Sequence, residues 1–217
     1  MNIRKRAINN EQKEIRRQQI MDATRQLFQE TSYGTVSMAA VARRAGVAKG
    51  TLYLYFKTKE ALFLALQTQE FMEWFDEVNE AVEGASRLSP DTFLQIIGNS
   101  LSNRSTFTRL IAILHTVLEH NISPKEAKLF KQMLRDNVLK TGALLESRLD
   151  FLQVGQGGQL LLQIYALVIG FQHLAEPAPI IVETIAADET LTLFDIDFLP
   201  RLLDTLRMIL QGLSRVH

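Results

Sequence analysis

Cysteine is missing from all 217 residues, which excludes disulfides and thiolate-held metals and fits a reducing compartment. Proline occurs only five times, so little in the chain interrupts a helix. No segment alternates apolar and polar residues as a half-buried strand does, and no repeat period stands out. No apolar run reaches the length of a membrane span, and the polar, charged beginning is unlike a secretory leader. The expectation is therefore a cytoplasmic protein with no membrane partner. Catalytic signatures are also missing: there is no GxSxG and no HExxH. Gly155, Gly157 and Gly158 cluster, yet no strand precedes them and no Lys-Ser/Thr follows, so they make no phosphate loop. Among His115, His120, His173 and His217, His173 stands three residues from Glu176, a possible half metal site, but one such pair at a helix end is a common accident. We expect no enzyme, no metal and no cofactor.

A surplus of charge is missing too, but the zero net charge hides a division. Residues 1–60 carry twelve Lys/Arg against five Asp/Glu, a net +7, and residues 61–217 carry twelve against nineteen, a net −7. Such asymmetry points to an anionic partner for the first part. DNA fits, because Lys and Arg on phosphates release counterions and supply most non-specific affinity.

What the chain does have is helical periodicity throughout, densest in meaning over residues 37–59, SMAAVARRAGVAKGTLYLYFKTK. Ser37 is an N-cap residue type ahead of a short helix whose Val41, Ala42 and Ala45 face inward while Arg43 and Arg44 face water. Gly46 ends that helix, since glycine adopts a left-handed backbone at little cost. A second helix over about 48–55 buries Leu52 and Phe56. Its opposite face presents Gly50, Thr51 and Leu54, with Lys49 and Tyr53 on the flank. Two short helices around a glycine turn, the second with a polar, basic and aromatic outer face, suit a helix-turn-helix.

This segment resembles the DNA-binding domain of the tetracycline-repressor (TetR) family of bacterial regulators. The matching residues are Ser37-Met38, Ala45-Gly46-Val47, Lys49-Gly50-Thr51-Leu52-Tyr53, Tyr55-Phe56 and Lys59-Glu60-Ala61-Leu62, preceded by Ile20-Met21-Asp22-Ala23 and Leu27-Phe28. The match covers about residues 15–65. Beyond it the likeness is one of architecture, an all-helical remainder of suitable length. The resemblance implies phosphate contacts from Ser37, Tyr55 and Lys59. Base reading would fall to Lys49, Gly50, Thr51 and Tyr53, with Leu54 available for a thymine methyl. One departure stands out: Ser32 occupies a position where the family usually has glycine. A positive φ there would strain serine by about 1 kcal/mol.

Residues 1–14, with Arg4-Lys5-Arg6, show no apolar period and read as a flexible basic arm. The first helix then spans about 10–31, with Ile15, Ile20, Ala23, Leu27 and Phe28 inward. Thr58 is a plausible N-cap for a long helix ending near 83. Further helices are expected over 91–101 and 106–119. Ser123-Pro124 opens another, reaching about 151. An almost wholly apolar helix follows over 159–174, then an uncertain loop with at most a short helix over 180–195, and a last helix over 197–213. The fold class is thus all-α, with a three-helix DNA-binding domain at 1–59 and a larger helical domain at 60–217.

A helix apolar nearly all round cannot face water on any side. In the resembled family the last two long helices of each subunit build a four-helix dimer interface, which places 159–174 and 197–213 there. The family also holds a small-molecule pocket between the helices of the larger domain. Candidate lining residues are Phe71, Trp74, Phe75, Phe107, Ile111, His115, Phe130, Met133, Tyr165 and Phe171, although each taken singly is more simply read as ordinary core. Few of these inner positions are charged, which favours an apolar or aromatic effector. The sequence therefore predicts a homodimeric regulator of double-stranded, palindromic operator DNA, released by such an effector. The alternative is a helical partner-binding or scaffold protein that does not act through DNA.

Overall fold

A computed structural model describes the backbone of residues 2–215 and the side chains of residues 11–215. Among the described residues the α-helices are α1 (Asn2–Glu30), α2 (Met38–Arg44), α3 (Lys49–Tyr55), α4 (Lys59–Glu83), α5 (Pro90–Ser102), α6 (Ser105–Leu114), α7 (Pro124–Glu146), α8 (Gln156–Ala175), α9 (Pro179–Ala187) and α10 (Phe198–Arg215). Two 3-10 turns, Leu118–Asn121 and Glu189–Phe194, complete the regular structure of that region. The chain forms two compact units. One combines Met1–Gln69 with Leu114–Ala127, the other Glu70–Ile113 with Lys128–His217. The division expected at 59/60 therefore differs from the observed one, because the first unit also takes in a segment between α6 and α7.

In the first unit α2 packs on both α1 and α3. Ile20, Phe28, Val41, Leu52, Leu62, Phe63 and Leu66 form its core, all essentially without exposed surface. Burial of each such side chain contributes about 1.5–3 kcal/mol before entropy is counted. The Phe63 ring meets Phe28 edge-on at 5.4 Å and Tyr33 at 4.9 Å. Helix α1 begins at Asn2 rather than near residue 10, so the stretch read as an arm is helical. No Pro or Gly interrupts residues 2–30, and this run of good helix formers needs no apolar stripe to remain helical locally. Ile15, expected inside, is 53% exposed, and Met21 and Thr24 are buried instead. Thr24 satisfies its hydroxyl on the Ile20 carbonyl at 2.8 Å. Ser32 carries no strain, since no described residue other than glycine has positive φ. Its carbonyl instead accepts from the Thr35 and Val36 amides at 3.1 and 3.2 Å.

The second unit is organised by amphipathic helices. Leu202, Leu206 and Leu210 of α10 are fully buried, and α10 packs on α5 and α8. Helices α7 and α8 meet backbone to backbone at Gly142 and Gly157. Gly155, at φ 89°, precedes α8, so only the first of the three clustered glycines breaks the chain. Arg104, mostly buried, sits 3.9 Å from Glu70, 3.7 Å from Glu73 and 2.5 Å from Glu77, which keeps the buried Glu70 carboxylate paired.

Several boundaries differ from expectation. Helix α6 stops at Leu114, and the expected continuation to 119 is a turn followed by the Leu118–Asn121 3-10 segment. Two β-branched residues in a row, Thr116 and Val117, lower helix propensity there. Helix α7 ends at Glu146, short of 151. The uncertain 180–195 stretch holds α9 and a 3-10 turn, and no residue of either is buried. Helix α8, judged too short a run to span a membrane, is long and apolar enough to do so by length and composition.

Candidate nucleic-acid interface

Ser37 caps α2: its backbone is extended and its Oγ accepts from the Ala40 amide at 3.2 Å. The hydroxyl proton remains free to donate to a phosphate oxygen. At the other end, Gly46 at φ 65° closes the helix, with its amide on the Arg43 carbonyl and the Val47 amide on the Ala42 carbonyl. That bond pair is the Schellman arrangement, which turns the chain sharply at the cost of needing a left-handed residue. Helix α3 starts three residues after Gly46, at Lys49.

Only Leu52 of α3 is buried, with Phe56 closing the inner side just beyond its end. Leu54 on the opposite side is 77% exposed, and Lys49, Gly50 and Tyr53 are also exposed. Thr51 and Tyr55 lie at the edges, half-buried. A Cβ on Gly50 would meet nothing within 4 Å, so its surface is open for close approach. Ser37, at the start of α2, and Lys49, Gly50, Thr51, Tyr53, Leu54 and Tyr55 of α3 all belong to the first unit.

Lys59 differs. Its Nζ donates to the Tyr33 carbonyl and lies 3.9 Å from the centre of the Tyr33 ring. Burial holds its pKa below the usual lysine range, partly countered by the neighbouring Glu60 carboxylate. Tyr33 donates its hydroxyl to Glu60 Oε1 at 2.9 Å, and burial first, then Glu60, pushes its pKa up. Arg44 is also engaged, paired with Glu30 through two bonds of 2.9 and 2.7 Å. Those bonds hold the Glu30 carboxyl below, and the Arg44 guanidinium above, their ordinary ranges. Neither lock is legible in the sequence, because Glu30 and Arg44 lie fourteen residues apart with no shared period. Arg43 and Lys57 are exposed basic neighbours that sequence reasoning did not single out.

The effector candidates divide. Phe71, Trp74, Phe75, Phe107, Ile111 and Phe130 are buried in the second unit, and Met133, Tyr165 and Phe171 are half-buried. Phe71 is the hub: its ring lies 5.0 Å from Phe107, 6.1 Å from Phe130, 6.1 Å from Tyr165 and 6.2 Å from Phe75. Trp74 stands 5.7 Å from Phe107, and its Nε1 donates to Ser100 Oγ at 3.0 Å. His115 does not belong with them. It lies in the first unit, exposed, with Nδ1 3.0 Å from Glu119 Oε2. The early end of α6 turns it outward. His173 Nε2 lies 3.1 Å from the Ala112 carbonyl and Glu176 is 3.6 Å from Arg109. Among the described residues no cluster of three metal-ligating side chains occurs. Two surface clefts, about 530 Å³ between α5 and α10 and about 340 Å³ beside α9, are lined by none of the candidates.

Comparison with known proteins finds two adjoining family models along the chain. Residues 20–66 match the family model "Bacterial regulatory proteins, tetR family", and residues 68–217 match "Tetracyclin repressor-like, C-terminal domain". The transcriptional repressor KstR of Rhodococcus jostii is 49% identical over 63 residues, 29% of either chain. The fatty acid metabolism regulator of Bacillus subtilis is 33% identical over 72 residues, 33% of this chain and 37% of that protein. The chain thus spans only about a third of the length of these relatives in alignment. In three dimensions the Bacillus subtilis regulator FadR, solved in complex with stearoyl-CoA, superposes at a TM-score of 0.53 with 18% identity, covering 89% of this chain and 96% of that one.

Proposed function

The chain belongs to the TetR family of bacterial regulatory proteins, and from that premise we propose that it is a DNA-binding transcriptional repressor. It acts in the cytoplasm as a homodimer on a palindromic operator and is released by an apolar or aromatic effector. The observation that carries this reading is the outer face of α3, where Leu54 is 77% exposed on a seven-residue helix seated by Leu52. A lone exposed leucine is ordinary on a protein surface, but beside Lys49, Thr51 and Tyr53 it completes a mixed basic, polar and apolar face on one short helix. It suits a helix whose tips meet base edges and thymine methyls in a major groove. In this role Lys49, Gly50, Thr51, Tyr53 and Leu54 read bases, and Ser37, Tyr55 and Lys59 hold the flanking phosphates. Lys59 reaches its phosphate from a perch on the Tyr33 ring, which limits its rotamers before DNA arrives and so lowers the entropic cost of the contact.

Dimerisation is supported by α8. Leu162, Ala166, Gly170 and Leu174 recur at helical spacing on its outer side, all exposed, with Leu162 57% so. A second copy covering that stripe removes the conflict between an apolar helix and water. Two half-sites about 34–36 Å apart then match successive major grooves. The effector reading rests on the ring cluster around Phe71. Because stearoyl-CoA is the ligand of the solved Bacillus subtilis regulator, a long-chain acyl-CoA is the first compound to test. No catalytic step enters this reading.

The test is selection of bound duplexes from a random-sequence pool, followed by binding measurements on the recovered site. Recovery of a palindrome supports the proposal. Salt-insensitive binding, or no enriched sequence, favours the alternative of a helical scaffold that does not act through DNA.

A further inference from the structure

Asn121 lies far along the chain from the helix-turn-helix, yet it belongs to the first unit. It is anchored there by Leu118, which is fully buried at the start of the same 3-10 turn. From this position Asn121 makes two bonds to the beginning of α4. Its carbonyl accepts from Thr58 Oγ1 at 3.0 Å, and its Nδ2 donates to Glu60 Oε2 at 3.1 Å. Thr58 Oγ1 in turn accepts from the Ala61 amide at 3.0 Å, capping α4. The other oxygen of Glu60 accepts from the Tyr33 hydroxyl at 2.9 Å. The Glu60 carboxylate is therefore held from both sides, one oxygen by Asn121 and one by Tyr33.

Lys59, next to Glu60, has two competing places for its ammonium. One is the Tyr33 carbonyl and ring face, where it is found. The other is the Glu60 carboxylate, whose attraction for Lys59 already opposes the effect of burial. Resting on this reading of Lys59 as a phosphate contact, we infer that Asn121 is a positioning residue for DNA binding: by occupying Glu60 Oε2 it keeps the carboxylate off Lys59 and leaves that charge available to a phosphate. A lysine held by a carboxylate does not reach the phosphate and displaces no counterion from it.

The experiment uses the full chain and the duplex selected above, with affinity measured across a salt series. Asn121→Ala should weaken binding about two- to tenfold, the range of one hydrogen bond's net worth. The slope of log affinity against log salt should also shrink toward that of Lys59→Ala. The decisive arm is Glu60→Gln in the Asn121→Ala background. Removing the carboxylate should restore both affinity and slope, because nothing is left to capture Lys59. A merely structural role for Asn121 predicts the opposite, a further loss, since a second bond to Tyr33 is weakened. Failure of Glu60→Gln to restore binding overturns the inference, as does an Asn121→Ala chain that binds like the parent. If Lys59→Ala alone leaves affinity and slope unchanged while the parent binds, the phosphate role of Lys59 falls and the inference falls with it. That outcome is distinct, because it appears before Asn121 is touched.

Discussion

Gly142 and Gly157 bring α7 and α8 into backbone contact: a methyl group on Gly157 would stand 2.1 Å from the Gly142 carbonyl oxygen. The reverse substitution fares little better, since a methyl on Gly142 would lie 2.6 Å from the Gly158 amide nitrogen. Neither obstacle is a side chain that can swing aside. Gly157→Ala must therefore push two helices apart, and overpacking of this kind costs about 1–3 kcal/mol. Gly212→Ala is the matched control, because its methyl would meet nothing within 4 Å and it lies off the α8 stripe. Urea unfolding should show a clearly lower midpoint for Gly157→Ala and a parental or higher one for Gly212→Ala. Equal midpoints would mean that α7 and α8 do not meet at these residues.

The same pair marks where the sequence stops being informative. Periodicity and caps predicted the helix-turn-helix closely: the Ser37 cap, the left-handed Gly46, buried Leu52 and exposed Leu54 are all found. Each is a local matter of backbone preference or spacing within one turn. The Ser123 cap is found as well, with Ser123 Oγ accepting from the Glu126 amide at 3.2 Å and Glu126 Oε2 accepting from the Ser123 amide at 2.7 Å. What the sequence hides is pairing at a distance. Gly157 reads as a chain break until Gly142 is seen against it. Arg44 reads as solvated until Glu30 is seen beside it, and Asn121 reads as a turn residue until Glu60 is. His115 was misplaced because its helix ends early, which propensity alone resolves poorly.

Acid should weaken the first unit through Glu30. Its pKa is lowered in the folded chain, chiefly by the hydrogen bonds from Arg44. A carboxyl that binds its proton less tightly when folded adds stability above its unfolded pKa and loses it as pH falls through the folded value. The advantage of the parent over Glu30→Gln should thus be present at neutral pH and shrink below about pH 4.5, the ordinary glutamate value. Thermal unfolding of both chains across that range checks this. A gap between them that widens in acid would contradict the sign.

On DNA, phosphate and base contacts should separate by salt. With about six to ten phosphates neutralised per dimer, the slope of log affinity against log salt should be roughly −5 to −9. Lys59→Ala, which removes a charge assigned to a phosphate, should weaken binding to all sequences alike and reduce that slope. Thr51→Ala should leave it alone and change the preferred bases, at about 1–3 kcal/mol for the affected position. Repeating the random-pool selection with both variants distinguishes them. An unchanged site for Thr51→Ala would remove it from base reading.

Dimerisation is best tested on the outside of α8 rather than on the buried stripe of α10. Leu206 is fully enclosed within its own protomer, so a charge there would unfold the chain instead of splitting a dimer. Leu162 is exposed, and Leu162→Glu leaves the protomer core intact. In the proposed dimer that carboxylate would be buried without a partner, costing several kcal/mol. Sedimentation should show folded monomers that have lost affinity for the palindrome while keeping the helical content of the parent. A folded dimer for this variant would move the interface off α8.

The effector reading is tested through Trp74, the sole tryptophan of the sequence. Its indole touches the Phe107 and Phe75 rings and donates to Ser100, so any compound lodging among the rings around Phe71 must alter its surroundings. Trp74 shares α4 with Lys59, and that helix contains no glycine or proline along its 25 residues. In the proposed function, α4 carries a displacement at the tryptophan to the phosphate contact at its start. Allosteric coupling of this kind is typically about 1–3 kcal/mol, so a true effector should weaken operator affinity about 5- to 150-fold. Linkage then requires operator DNA to weaken effector binding by the same factor. Titration with long-chain acyl-CoA and simpler apolar compounds should change Trp74 emission and release the duplex over one concentration range. Phe71→Ala, which removes the hub of the cluster, should shift both curves together. A compound that saturates the Trp74 signal and leaves operator affinity untouched occupies the cluster without coupling. If every binder behaves that way, α4 does not transmit the signal.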